Sequence, residues 1–326
     1  MRQVRKSNAM RAAKTVVAAA TVLWMAAVSG ADIPARVQDA PFVILPEKTT
    51  LLDLVEVGHT LVAVGERGVV FRSDDDGKSW QGELTPTSRT LTAVIFIDGK
   101  VGVAVGHGGT IMRTEDGGHA WTLVTVKEIG TDAVLGITLL ADGRLIAYGA
   151  FGMYLISDDK GRTWRRQTII ADDFDRHISK IVQIGDSLLL AGETGLIARS
   201  TDGGAKWTKL EVPYAGSFFG LLRLHSGSVL VFGMRGNVYR SEDDGTTWKQ
   251  VPFASKATLN GGSVASDGRI VLAGNRGLIA VSTDDGQSFS FIQAPEGTSI
   301  SQARVVDDGS LVYTGSLATG RLSVKH

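Results

Sequence analysis

Ser73-Asp-Asp-Asp-Gly-Lys-Ser-Trp80 opens a series of six near-copies of one eight-residue phrase. The others are Thr114-Glu-Asp-Gly-Gly-His-Ala-Trp121, Ser157-Asp-Asp-Lys-Gly-Arg-Thr-Trp164, Ser200-Thr-Asp-Gly-Gly-Ala-Lys-Trp207, Ser241-Glu-Asp-Asp-Gly-Thr-Thr-Trp248 and Ser282-Thr-Asp-Asp-Gly-Gln-Ser-Phe289. Successive copies start 41, 43, 43, 41 and 41 residues apart, a regularity that marks an array of structural repeats. In the shared pattern, Ser/Thr-x-Asp-x-Gly-x-x-Trp, three positions have a physical task. The carboxylates of Asp75, Asp116, Asp159, Asp202, Asp243 and Asp284 can accept hydrogen bonds from the N–H groups of their own turns. The glycine supplies a backbone angle that a Cβ resists. The closing aromatic (Trp80, Trp121, Trp164, Trp207, Trp248 or Phe289) tucks a large apolar surface between neighbouring units, and truncating such a residue costs about 3–5 kcal/mol. The phrase lacks the Asp-x-Asp-x-Asp-Gly order and the distal Glu of a calcium loop, so its acids are read as structural and no metal is expected.

About eight residues upstream of each phrase lies a glycine tetrad: Gly65-Glu-Arg-Gly68, Gly106-His-Gly-Gly109, Gly149-Ala-Phe-Gly152, Gly192-Glu-Thr-Gly195, Gly233-Met-Arg-Gly236 and Gly274-Asn-Arg-Gly277. Short apolar runs flank it, such as Leu61-Val-Ala-Val64 and Val69-Val-Phe71, so each tetrad reads as the tight turn of a β-hairpin. A further apolar run, such as Leu91-Thr-Ala-Val-Ile-Phe96, opens each unit. Four strands in about 42 residues is the size of a propeller blade.

Residues 1–31 carry Arg2, Arg5, Lys6, Arg11 and Lys14 and no acid, then a fourteen-residue apolar run from Thr15 to Val28, then Ser29-Gly30-Ala31. Charged, apolar, then small is the order of a secretory signal peptide, and the apolar run is shorter than the roughly 20 residues of a spanning helix. The expectation is cleavage after Ala31 and an exported protein, periplasmic or in a lumen of similar kind. The remaining 295 residues, 32–326, hold about seven units of 42, so the fold expected is a single all-β domain, a seven-bladed β-propeller of four-stranded antiparallel blades. Only six phrases exist. The seventh blade is therefore expected to be composite, with strands at 300–306, 310–314 and 321–325 from the segment 298–326 and a fourth from Pro41-Phe-Val-Ile-Leu-Pro46, which closes the ring.

Forty glycines against seven prolines fit many short strands and tight turns. The absence of cysteine excludes disulfides, thiolate metal sites and cysteine nucleophiles. Without residues 1–31, 29 bases face 34 acids, a net charge of −5, which argues against non-specific nucleic-acid binding. No phosphate-binding loop, His-Glu-x-x-His or dinucleotide fingerprint is present, and no cofactor is expected.

The repeated phrase is an Asp-box. At this spacing, with a glycine tetrad before each copy, residues 40–326 resemble the BNR-type propellers and above all the photosystem II stability/assembly factor family, including its relatives in non-photosynthetic bacteria. The stretch Val105-Gly-His-Gly-Gly-Thr-Ile-Met-Arg-Thr-Glu-Asp-Gly-Gly-His-Ala-Trp121 carries the resemblance most fully. It implies a non-catalytic helper that binds protein, namely a membrane protein or its exported segment, and assists its assembly or stability. Sialidases and other glycoside hydrolases share the Asp-box, which makes a glycan-processing enzyme or a carbohydrate-binding propeller the alternative. Such a site needs three arginines and a Tyr–Glu pair converging in the central cup. The Phe-Arg-Ile-Pro element of sialidases is missing, with only Ile33-Pro34-Ala35-Arg36 as a scrambled echo, and Tyr148, Tyr154, Tyr239 and Tyr313 fall in strand patterns where burial is the default.

In a four-stranded blade, successive turns alternate between the two rims. The tetrads and the links between blades therefore share the rim opposite the Asp-boxes. That rim offers Arg67, His107, Phe151, Arg235 and Arg276 from the tetrads and Arg89, Arg176, Tyr214, Phe218 and Phe219 from the links. Arginine with aromatics is a composition enriched at protein interfaces. Arg67, Arg235 and Arg276 lie in blades close around the ring and suit carboxylates, while the link Ala171-Asp-Asp-Phe-Asp-Arg176 concentrates acid elsewhere, so a dipolar binding face is expected. The protein is expected to be monomeric.

Overall fold

The computed structural model describes residues 44–323 except Glu128, Asp172, Pro295 and Glu296. The described residues form seven antiparallel sheets in sequence order, six of four strands and a last one of three. The first strand of each is innermost: Leu51–Val57, Leu91–Phe96, Val134–Leu139, Ile178–Ile184, Phe218–Arg223, Leu259–Val264 and Ile300–Val305. Each packs against the inner strand of the next sheet, and Ile300–Val305 packs back against Leu51–Val57. The result is a closed, seven-bladed β-propeller.

Second strands such as Gly102–Gly106 and Ile270–Gly274 are apolar and buried along their whole length, because both their faces meet another blade. Outer strands such as Thr122–Leu123 and Arg165–Arg166 are two exposed residues each, too short to offer a pairing edge. The buried interior is divided into seven clusters, each shared by two neighbouring blades. One of them joins Leu54, Ala63 and Phe71 of blade 1 to Val306 and Val312 of blade 7. At the same seam Arg304 faces Glu56 at 3.7 Å and His59 meets Asp307 at 2.8 Å.

The repeated turns lock each blade to the one before it. Ser157 Oγ donates to Asp159 Oδ1 at 2.8 Å and accepts from the Gly161 N–H at 2.9 Å. Asp159 then accepts from the Thr163 N–H at 2.9 Å and the Thr163 hydroxyl at 2.6 Å. The same serine–aspartate–glycine set recurs at Ser73, Ser200, Ser241 and Ser282, and with threonine at Thr114. The Ser or Thr is buried in all six turns, a role that the pattern alone leaves unassigned. Gly161 has φ 79°, and a Cβ on it would stand 2.6 Å from Val103 of the preceding blade. Gly77 is set the same way against Val312, and Gly245 against Leu189, both at 2.9 Å. The turn glycine is thus required by its backbone angle and again by its neighbour.

All six closing aromatics pack into the cluster shared with the preceding blade. Trp121 and Trp207 are buried, whereas Trp80, Trp164, Trp248 and Phe289 are half-buried. Trp121, Trp164 and Trp207 also donate their indole N–H to the turn-glycine carbonyl at 3.0, 3.2 and 3.1 Å.

The seventh blade departs from expectation in two places. Its third strand is Ala318–Leu322, not 321–325, because Gly315 pairs directly with Ala318 across the two-residue turn Ser316-Leu317. Of the fourth strand expected at 41–46, residues 41–43 lie outside the described residues. Of the part described, Ile44 and Leu45 are in no strand and Pro46–Lys48 is a short 3-10 turn, with Pro at its first position. That turn packs against Ala318–Leu322, and Ile44 packs into the cluster between blades 7 and 1.

The turn carboxylates are strongly acidic. The Ser79 hydroxyl and N–H, opposed by slight burial and aided by Ser73 and the Lys78 N–H, bring Asp75 down to about 2. Burial opposes the same effect at Asp284, but the hydrogen bonds from Ser288, Ser282 and Gln287 prevail and hold it at about 2. Groups depressed on folding stabilise the fold above their unfolded pKa of roughly 3.9 and stop doing so as the pH falls through the folded value. Acid titration followed by tryptophan fluorescence is therefore expected to show unfolding that sets in below about pH 4; a loss of structure beginning at neutral pH would contradict it. Gly161→Ala is expected to destabilise by about 2–4 kcal/mol in urea, combining a left-handed alanine with overpacking. Gly99→Ala, where a Cβ meets nothing within 4 Å, serves as the neutral control.

Candidate functional site

The two rims of the ring differ in what their turns touch. On one rim the repeated turns meet the first hairpin turns, as where Gly117 N–H donates to Lys100 O at 2.8 Å and Arg144 Nη1 donates to Gly203 O at 3.0 Å. On the other rim the glycine tetrads meet the links. The second tetrad residue donates its N–H to the carbonyl just ahead of the inner strand: Glu66 to Thr50, Ala150 to Ala133 and Asn275 to Thr258, each at 2.9 Å. The fourth donates to the outgoing link: Gly109 to Asp132, Gly152 to Arg176 and Gly195 to Gly216, again at 2.9 Å.

Between these two tethers the third residue is held in the left-handed region, where a residue with a Cβ sits about 1–2 kcal/mol above its usual conformation. It has φ 57° at Arg67, 52° at Phe151 and Thr194, 57° at Arg235 and 62° at Arg276, and every one of these side chains is exposed. Gly108 holds the place in blade 2, so His107, though exposed, is a second-position residue and not the equivalent of the arginines. The Arg89 guanidinium lies over that glycine: a Cβ built on Gly108 would be 3.3 Å from its central carbon. Leu317, with φ 52° and exposed, is the equivalent in blade 7. Sequence reasoning missed it because Ala318 stands where the closing glycine of a tetrad is expected.

Among the described residues, nine arginines are in ion pairs. Arg67, Arg89, Arg235 and Arg276 are not among them, and no hydrogen bond to another described residue engages their side chains. Arg176 is half-buried and its Nη1 donates to Thr194 O at 3.4 Å, so it serves the link rather than the rim. Tyr214 is also half-buried; its hydroxyl donates to Met234 O at 3.2 Å and its ring stacks on Tyr239. Phe218 does not belong to the rim at all. It opens an inner strand facing the blade interior and is completely buried. Phe219, the next residue, is exposed, and Phe151 packs edge-on against His177 with ring centres 5.0 Å apart.

Phe219 owes its position to a bulge. In all seven inner strands the register slips by one residue at the same point, leaving Leu52, Thr92, Leu135, Ser179, Phe219, Asn260 and Ser301 without a cross-strand partner. These seven ring the propeller axis. On the tetrad side the axis opens into a cavity of about 460 Å³ walled by Leu52, Leu135 and Phe219 together with His177, Ser179, Glu193, Ser217 and Asn260.

Residues 135–289, just under half of the chain, match the family model described as photosynthesis system II assembly factor YCF48. The chain is a propeller similar to that family. Among solved structures, YCF48 bound to a D1 peptide is 16% identical with a TM-score of 0.70, over 87% of this chain and 94% of that one. YCF48 from Cyanidioschyzon merolae is 14% identical with a TM-score of 0.67, over 86% and 97%. A streptogramin B lyase is 14% identical with a TM-score of 0.74, over 87% and 96%. At such identities the likeness is one of fold. No curated protein matches the sequence.

The adjacent phenylalanines separate packing from surface. Phe218→Ala is expected to cost about 3–5 kcal/mol of stability in chemical denaturation, whereas Phe219→Ala stays within about 0.5 kcal/mol of the parent.

Proposed function

We propose that this protein is an exported, non-catalytic propeller that holds a protein partner on its tetrad rim, the partner being a membrane protein or its exported segment, and so assists assembly or stability of a membrane complex. The observation that carries this reading is the set of four exposed guanidiniums, Arg67, Arg89, Arg235 and Arg276, without a counter-charge among the described residues. Guanidinium forks at a rim match carboxylates on an extended chain. In ring order they fall on blades 1, 2, 5 and 6. The exposed Asp173 and Asp175 lie in the link from blade 3 to blade 4, so the rim is dipolar and would orient a partner of complementary charge. The resemblance to the assembly factors supports the same reading, since one of them has been solved with a D1 peptide bound. Export rests on the order of charge, apolar run and small residues in 1–31; among the described residues no helix is long and apolar enough to cross a membrane.

The axial cavity favours binding over glycan hydrolysis. Among the described residues neither the wide cavity nor the throat below it is lined by an arginine, and the one tyrosine at the throat, Tyr148, is buried, as are Tyr154, Tyr239 and Tyr313. Replacing Arg67, Arg235 and Arg276 together with alanine is expected to weaken capture of an acidic peptide on the order of 100-fold or more, because each charge-assisted hydrogen bond contributes about 1.5–3 kcal/mol before solvent screening. The melting temperature should not move. Undiminished capture by the folded triple variant, measured by fluorescence anisotropy, would discard the reading.

A further inference from the structure

Below the bulge residues the axis narrows to a polar throat of about 110 Å³, reached by two charged side chains, Asp53 from blade 1 and Lys180 from blade 4. Asp53 is anchored: its Oδ1 accepts from the Leu54 N–H at 2.9 Å and its Oδ2 from the Val94 N–H at 3.0 Å. Each oxygen keeps a second lone pair free to accept another donor. Lys180 has no such anchor. Among the described residues no hydrogen bond or ion pair engages its ammonium, and Asp53 is not within ion-pairing distance. Electrostatic attraction to Tyr148 and then to the Asp53 carboxylate, against burial and the repulsion of Arg304, holds its pKa above the ordinary lysine value, so the ammonium is charged.

A cation and an anion held apart in one small cavity present a fixed dipole. A simple anion entering there would meet Lys180 but be repelled by Asp53, and a simple cation the reverse. A ligand carrying both signs satisfies both. Directly above, the wider cavity offers Leu52, Leu135 and Phe219 as apolar walls, and these residues also line the throat, so the two spaces adjoin.

We propose that the propeller axis binds a free α-amino acid with an apolar side chain, its carboxylate on Lys180, its ammonium on Asp53 and its side chain against Leu52, Leu135 and Phe219. A residue inside a peptide has neither charge, and a chain terminus has only one of them, so the site selects the free zwitterion. It is distinct from the arginine rim and does not depend on it.

Isothermal titration of the full chain with L-leucine, N-acetyl-L-leucine and L-leucinamide tests this. The free amino acid is expected to bind and to raise the melting temperature, and each blocked form to bind at least roughly tenfold more weakly, since each loses one charged hydrogen-bonding group. Lys180→Met should abolish binding, while the Arg67, Arg235 and Arg276 triple variant binds as the parent does. No binding of the free amino acid at millimolar concentration, or equal binding of the three ligands, would overturn the proposal. The ligand comparison on the parent protein decides the matter even if Lys180→Met fails to fold.

Discussion

A four-stranded blade of about forty residues has two apolar faces and no means of covering either by itself. Each must find another blade, and the seven buried clusters between neighbours are the solution that the chain adopts. Stability is then distributed around a circle, with each blade contributing to two clusters. The cluster between blades 7 and 1 is as necessary as the others, because without it two apolar faces would open to water. Val306 and Val312 meeting Leu54 and Phe71 supply that last contact, and the Arg304–Glu56 and His59–Asp307 pairs sit beside it.

The repeated turns give the contacts direction. Each turn glycine rests on a side chain of the blade before it and each closing aromatic enters the cluster behind it, so every blade carries the fitting for its predecessor. Among the described residues blade 7 shows no such turn, and the cluster between blades 6 and 7 is filled by Tyr313, Ala318, Ile292 and Leu322 with their neighbours. The buried Ser or Thr that opens each turn ties this packing to the carboxylate, which is why a surface acid matters to an interior contact.

The architecture was legible because its determinants are local and repeated. The spacing of the phrases gives the blade, and the tetrads give the hairpins. Both follow from backbone angles and hydrogen bonds within a few residues. The seventh blade was harder to read, since Ala318 in place of a closing glycine shifts its last strand three residues forward. The rim was legible in part. Alternation of turns places the tetrads and links together, but it cannot tell which of two adjacent link residues points inward. Phe218 and Phe219 differ by a single position in a strand, and one is core while the other faces the axis. Likewise Arg176 and Tyr214 are engaged by carbonyls from neighbouring loops, contacts between segments 18 and 20 residues apart that no local pattern encodes. The bulges that build the axial ring left no mark in the sequence, because a bulged residue can be Leu, Thr, Ser, Phe or Asn equally well.

That indifference has an evolutionary consequence. A residue squeezed out of the ladder toward the axis belongs to none of the seven buried clusters, although Thr92 still donates to Val134 O at 2.6 Å and Asn260 to Ile300 O at 2.9 Å on the next blade. The inward positions without such a bond, Leu52, Leu135, Ser179, Phe219 and Ser301, can therefore drift or be selected with little effect on folding, and one scaffold can be re-lined for a different guest without being rebuilt.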